Sequence, residues 1–477
     1  MLSRNTAEVE HASNELELLH DSEGDLSSNS ETHDLTTAPL FTREAFVETT
    51  GLDKETQYGV MGATVSIHSP TSVQIPDDRR LYLNTNAPFS AIVCGVQGSG
   101  KSHTVSVMLE SMFIRHSPLG CLNQPLSGLI LHFGEGGDCA RPCEAAWTGV
   151  SKAAGVSAPP VKVYVSKSSL KTMRNVYQAL GSNVSVEPLL FDEEDLDAQA
   201  FLSMMAVGSS EGAPLYMQLV MEILRGLGED FTYRAFEVKI EDLKTTLNPM
   251  QKASLEQRMA LLISFMRPRP KGYGAKRPLR AASRFAAGQL TIIDLSDPFI
   301  DPASACSLFD IILRLFVRAD VGTGKVVVVD EAHKYLSSNR GSSGLTKSLL
   351  TLIREQRHLS MRVIISTQEP TVVPPVLLDL CSVQILHRFS SPAWWDHLSG
   401  HVSADFSGSD AFDKVVRLKT GQAILLAPAA LGMFPPSWTS SPSDKLMLDQ
   451  LGRRYIILKT RRRVTADGGA SVLVLDT

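Results

Sequence analysis

The octapeptide Gly95-Val96-Gln97-Gly98-Ser99-Gly100-Lys101-Ser102 constrains this chain more than any other stretch, because it satisfies every position of G-x-x-x-x-G-K-[ST]. It follows the apolar run Pro88 to Cys94 and precedes the helical pattern Val105, Val107, Met108, Leu109, Met112 and Phe113. Strand, glycine loop and helix therefore come in the order that a phosphate-binding loop needs. Glycines let consecutive backbone N–H groups converge on phosphate oxygens, and the helix N-terminus adds a favourable dipole. In such a loop Lys101 bridges phosphate charge and Ser102 ligates Mg²⁺. The expected ligands are ATP and Mg²⁺, and the candidate nucleotide-binding residues are Gly95, Gln97, Gly98, Ser99, Gly100, Lys101, Ser102 and His103.

A second site follows from Val326-Val327-Val328-Val329-Asp330-Glu331, an apolar strand that delivers two acids to the carboxyl edge of a sheet. Asp330 is expected in the Mg²⁺ shell, and Glu331 as the acceptor of a proton from an attacking water. A third is Ser366-Thr367-Gln368, again at the end of an apolar strand, where Gln368 is placed to orient the water or sense the terminal phosphate. Arg357 lies eleven residues before Gln368, at the end of an expected helix from Leu345 to Arg357 that also carries Arg354. A surface ion pair is the commoner fate of such arginines.

The set Gly-x4-Gly-Lys-Ser, Asp-Glu-Ala-His, Arg-Glu-Gln-Arg and Ser-Thr-Gln-Glu-Pro resembles the HerA/FtsK superfamily of ring-forming ATPases. HerA-type DNA-processing translocases and the cytosolic ATPases of conjugative secretion are the nearest in pattern, over roughly residues 85 to 430. The resemblance implies a RecA-like fold with an additional strand, a helical insertion between the first two motifs, usually six subunits, and Arg357 entering a neighbour's site. It also implies a motor on double-stranded DNA, with two alternatives: an ATPase powering protein or nucleoprotein transfer through a secretion complex, or a nucleotide-controlled scaffold. Asp330-Glu331-Ala332-His333 also spells a helicase box, but 229 residues separate Lys101 from Asp330 and no arginine motif of that helicase class follows. His333 is left either as a coupling residue or as a packed or solvent-facing histidine. Two family features are lacking: no N-terminal β-barrel is legible before Pro88, and no arginine lies between Leu81 and Lys101, with Arg79 and Arg80 as weak substitutes.

The apolar runs at 126–133, 161–165, 290–295, 326–330, 362–367, 383–387 and 423–426 alternate with helical patterns, which predicts an α/β protein with a mostly parallel, helix-covered sheet. Boundaries read as an acidic, disordered tail at 1–40, an N-terminal segment at 41–84 with a small β element at Ala63 to His68, and a first core part at 85–194. A helical insertion ending in a basic loop at 195–285, a second core part at 286–435 and a basic tail at 436–477 complete the expectation.

The 46 basic and 51 acidic residues give a net charge of -5, which excludes a protein that coats nucleic acid through bulk positive charge. Nucleic-acid contact therefore falls to local clusters: the loop Arg267 to Arg284, and Arg453, Arg454, Lys459, Arg461, Arg462 and Arg463. A solvated charge run or a nuclear-import signal are the alternatives, and the acidic tail is a candidate intramolecular mask. Six scattered cysteines make no disulfide framework, and Cys139 and Cys143, near Cys121 and His132, match no zinc spacing, so unpaired thiols in a reducing compartment are expected. Trp394 and Trp395 are expected to pack. With no apolar run of membrane-spanning length and no leader pattern, the expected location is cytosolic or nuclear.

Overall fold

Continuous β-branched runs make strands that bury both faces, and here they lie side by side. The computed structural model describes residues 35–49, 56–70, 72–205, 215–268, 284–336, 344–402, 410–435 and 446–469. Residues 1–34 of the tail expected at 1–40, and residues 269–283 of the basic loop, lie outside the described residues, while the tail's last six residues are described and bury Leu35, Ala38 and Leu40. In chain order come β1 (Leu40–Thr42), α1 (Arg43–Thr49), β2 (Tyr58–His68), β3 (Val73–Gln74), β4 (Arg80–Asn84), β5 (Ser90–Cys94) and α2 (Lys101–Phe113). Then follow β6 (Gly120–Cys121), β7 (Ser127–His132), β8 (Val161–Val165), α3 (Leu170–Tyr177) and β9 (Val184–Pro188). The insertion is α4 (Ala198–Met205), α5 (Leu215–Leu227), α6 (Tyr233–Lys244) and α7 (Pro249–Ser264). The second half runs β10 (Leu290–Asp294), α8 (Pro302–Arg318), β11 (Lys325–Val329), α9 (Gly344–Glu355), β12 (Met361–Thr367), α10 (Pro375–Leu380) and β13 (Val383–His387). It closes with α11 (Pro392–Ser399), α12 (Asp410–Arg417), β14 (Gln422–Leu426), β15 (Leu431–Phe434), β16 (Met447–Gln450) and β17 (Tyr455–Thr460).

Eight strands are parallel, in the order β9-β8-β10-β7-β11-β12-β5-β13. Strand β12 separates β5, which feeds the glycine loop, from β11, which carries the acids; this is the additional strand of a RecA-like P-loop fold. From β13 the sheet continues antiparallel through β14, β17, β2, β4 and β1, and β15 and β16 extend it. This extension takes in two stretches outside the expected core. Residues 41–84 are woven into the main sheet, and β16 and β17 fall within the stretch expected to be a basic tail.

The period of two along the strands divides the core. Leu129, Leu131, Val327, Val329, Val363 and Ile365 face α8, α9 and the insertion, while Ile130, Val326, Val328 and Ile364 face α2 and α3. Helix α6, which the sequence reading missed, packs Phe236 against Phe201 with ring centroids 4.6 Å apart. Arg267–Asp192 (2.8 Å) and Arg284–Asp195 (2.8 Å) pin the two flanks of the basic loop to the segment leading into the insertion. Most of the basic cluster around β17 is spent in the same way, with Arg462 left exposed. Arg461 pairs with Glu110 and Arg463 with Glu144, each at 2.6 Å, while Arg454 meets Asp449 at 3.2 Å and Lys459 donates to the Thr420 carbonyl at 2.6 Å.

Glu110 on α2 is fully buried and also accepts the Val464 N–H (3.0 Å), the Thr465 N–H (2.9 Å) and the Thr465 hydroxyl (2.6 Å). It ties the chain beyond β17 to the helix that begins at Lys101. Glu110→Ala leaves the Val464 and Thr465 N–H groups without their acceptor and the Arg461 guanidinium without its carboxylate, and is expected to destabilise the fold by about 3–5 kcal/mol; urea denaturation of wild type and variant measures it.

Candidate nucleotide site

All the strand-end polar residues named above converge on one edge, because parallel strands present their carboxyl ends together. At that edge the chain leaves β5 at Gly95, packed on His387, and turns through Gly98 (φ 72°) and Gly100 (φ 112°). Both lie in the left-handed half of backbone space, which glycine adopts without strain. Gly98 has open space around it, whereas a Cβ on Gly100 would sit 3.0 Å from the Gly421 Cα, so a second chain segment presses against the loop. The Gly421 N–H donates to the Ser99 carbonyl at 3.0 Å, and the Ser99 hydroxyl closes the turn on the Val96 carbonyl at 2.7 Å.

Gln97 and Gly98 face outward and Ser102 is half-buried in the first turn of α2. The His103 ring points elsewhere: Nε2 donates to the Arg461 carbonyl at 2.8 Å, and Nδ1 lies 3.5 Å from Asp467. Lys101 is only 5% exposed and makes no hydrogen bond or ion pair among the described residues. Burial lowers its pKa, opposed by the charges of Glu331 and Asp330 across the cleft.

Asp330 receives the His132 Nδ1–H on Oδ2 at 2.8 Å. Burial alone would raise its pKa, but that hydrogen bond and charge, together with Lys101, hold the carboxyl below its ordinary value. Glu331 has φ 50° and ψ 41°, a conformation that costs a non-glycine residue about 1 kcal/mol. The kink turns its carboxylate toward β12, where the Gln368 side-chain amide reaches both oxygens, at 3.0 and 2.9 Å. His333 accepts the Gln368 backbone N–H on Nδ1 at 3.4 Å. Burial lowers the His333 pKa, so the 3.4 Å approach of this unprotonated nitrogen to Glu331 is not an ion pair. The three strand-end groups are thus brought together, with His333 as a packed member of the set.

Arg357 is not brought there. Helix α9 ends at Glu355, so Arg357 sits exposed in the turn beyond it, at the amino edge of the sheet, and Arg354 is exposed in the last helical turn. The seven residues of β12 span about 20 Å between this turn and Gln368. Trp394 packs by the Phe389 ring at 5.8 Å, and all six cysteines are free.

The sequence reading missed His387, and it set His132 and Cys143 aside because their spacing matches no zinc pattern. His132 and Cys143 border Asp330, with the Cys143 sulfur 3.9 Å from Oδ2. His387, fully buried behind the glycine loop, joins the Gln422 carbonyl (3.0 Å) through Nδ1 and the Thr104 hydroxyl (3.0 Å) through Nε2. A carbonyl only accepts, so Nδ1 carries the proton and Nε2 accepts from Thr104. His132 and His387 both end apolar strands, the same signal that marked Asp330 and Gln368.

No family model matches the sequence, and no curated protein matches it. Among solved structures, the chain is similar to VirB4 of Thermoanaerobacter pseudethanolicus, with 12% identity, 86% of this chain and 98% of that chain covered, and a TM-score of 0.42. It is also similar to the genome packaging NTPase B204 from Sulfolobus turreted icosahedral virus 2, with 11% identity, 72% and 93% covered, and a TM-score of 0.30. A third similarity is to EssC (ATPases 2 and 3) from Geobacillus thermodenitrificans, with 11% identity, 86% of this chain and 46% of that chain covered, and a TM-score of 0.28.

Burial holds the His387 pKa down at about 3 against an ordinary 6.5. The unfolded chain therefore takes up a proton here before the folded one does. The contribution to stability is complete above the ordinary value and is lost as pH falls toward the folded one, at up to about 1.4 kcal/mol per pH unit. His387→Gln, whose amide can both donate and accept, is expected to flatten this acid limb in urea denaturation between about pH 6 and pH 4.5.

Proposed function

We propose that this chain hydrolyses ATP with Mg²⁺ and, in a ring of copies of the HerA/FtsK kind, uses the cycle to move double-stranded DNA. The observation that carries the reading is Lys101: a side chain 5% exposed, partly withdrawn from water and with no acceptor of its own among the described residues, facing the strand-end acids. Removing a cation from water without a partner is costly, and the phosphates of a nucleotide in the glycine loop supply one. Glu331, aimed by its left-handed backbone and gripped by Gln368, is the proton acceptor for the attacking water, and Gln368 orients that water. Ser102 and Asp330 would hold Mg²⁺, which when bound neutralises phosphate charge.

Assembly enters through Arg357. At the amino edge of the sheet it cannot reach its own chain's phosphates, so it serves a neighbour's site, with Arg354 as the alternative. Such an arginine is worth about 10³-fold or more in rate.

Protein or nucleoprotein as the moved polymer is the second reading, and the spent cations favour it. Arg267, Arg284, Arg454, Arg461 and Arg463 all face internal carboxylates, leaving fewer free charges for phosphate backbones. No helix among the described residues is long and apolar enough to cross a membrane.

The test is steady-state ATP hydrolysis per chain against protein concentration, with and without double-stranded DNA. The rate is expected to rise with both, Arg357→Ala to lose about 10³-fold, and a mixture of Arg357→Ala with Lys101→Ala chains to recover turnover, since each supplies what the other lacks. Unchanged turnover in Arg357→Ala contradicts the ring, and turnover indifferent to DNA transfers the reading to protein transport.

A further inference from the structure

Beside the nucleotide cleft lies a second cluster of ligand atoms. His132 ends β7, Asp330 follows β11, and Cys143 opens the short helical turn after β7; one ligand atom from each lies within 4.8 Å of the others. We propose that these three side chains form a binding site for a thiophilic divalent cation, Zn²⁺, whose occupancy removes Asp330 from the nucleotide's metal.

Thiolate, imidazole and carboxylate are the donors zinc prefers, and three protein ligands leave a fourth position for water. A tetrahedral ion with bonds of about 2.0–2.3 Å places its ligands about 3.3–3.7 Å apart. The observed separations bracket that range: 2.8 Å from His132 Nδ1 to Asp330 Oδ2, and 3.9 Å from Cys143 Sγ to the same oxygen. With the third separation also within 4.8 Å, shifts of about 1 Å or less seat the ion. One thiolate and one carboxylate balance its two charges. The proton of the thiol and the one shared by His132 and Asp330 pass to solvent as it binds.

A supporting shell is already built. The Tyr177 hydroxyl accepts the Cys143 backbone N–H at 2.9 Å and donates to Asp294 at 2.6 Å, and Asp294 in turn accepts the Ser296 N–H at 3.0 Å. These bonds fix the Cys143 backbone as outer-shell groups fix metal ligands. The sulfur itself is fully buried, while His132 and Asp330 keep 12% and 16% of their side-chain surface, so the open approach is from the nucleotide cleft. Mg²⁺, which takes oxygen ligands, gains nothing from the thiolate, so the two ions compete for the one carboxylate and the thiolate and imidazole favour Zn²⁺.

The test of the site needs no nucleotide. Full-length reduced protein is titrated with Co²⁺, whose bond to a thiolate gives a charge-transfer absorption. One equivalent per chain is expected to produce the band, Zn²⁺ to displace it, and Cys139→Ser, which alters an exposed thiol, to keep it. Cys143→Ser is expected to lose the band and His132→Gln to weaken Co²⁺ binding at least tenfold, with circular dichroism checking that both variants fold. Wild type without the band, or Cys143→Ser with it undiminished, overturns the site.

The inhibitory consequence rests on the proposed ATPase. Zn²⁺ is expected to lower wild-type turnover at least tenfold, reversibly on chelation, and to lower that of Cys143→Ser less than threefold. The band with no turnover at all defeats the ATPase reading and leaves the site standing. Turnover without the band does the reverse, and the band with Zn²⁺-indifferent turnover overturns the withdrawal of Asp330.

Discussion

The register of three parallel strands, β11, β12 and β5, is the constraint on which the rest depends. Neighbouring strands lie about 4.8 Å apart, so inserting β12 sets the acid pair about 10 Å from the glycine loop and puts Gln368 between them. Swapping β12 to the outside would bring the acids against the loop and leave Glu331 with nothing to hold it. The contact between the Gln368 amide and both Glu331 oxygens is the local expression of this order. The left-handed Glu331 backbone is a small strain maintained by that packing.

Much of the remaining structure keeps the loop and α2 in place. Gly421 and His387 support the glycine loop from behind through the turn into β14 and the end of β13. On the far side Glu110 holds the segment after β17 against α2. The antiparallel extension is thus a brace, built from chain ends that would otherwise be loose: β1 to β4 before the loop and β14 to β17 after the last parallel strand.

The parallel core and most of the site were legible because both obey local rules. A glycine loop between strand and helix, and polar residues ending β-branched runs, declare themselves within a few positions, and Lys101, Asp330, Glu331 and Gln368 became candidates that way. The extension was not legible, because β1 pairs with β15 and β17 with β2, partners hundreds of residues away. The arginines near the C-terminus misled for a related reason, since Arg461 and Arg463 find their carboxylates at Glu110 and Glu144 only after folding. His387 carried the strand-end signal and was passed over, while His132 and Cys143 were set aside because they match no zinc spacing; Asp330, which brings them together, joins them only in three dimensions.

The most direct test of the account is ATP binding and hydrolysis by Glu331→Gln beside wild type, in Mg²⁺. A carboxamide keeps the shape and loses the proton acceptor, so binding within about threefold of wild type and hydrolysis down by about 10²-fold or more are predicted. Hydrolysis by the variant at the wild-type rate would contradict the assignment of Glu331, and a wild-type chain that binds no ATP would contradict the site as a whole.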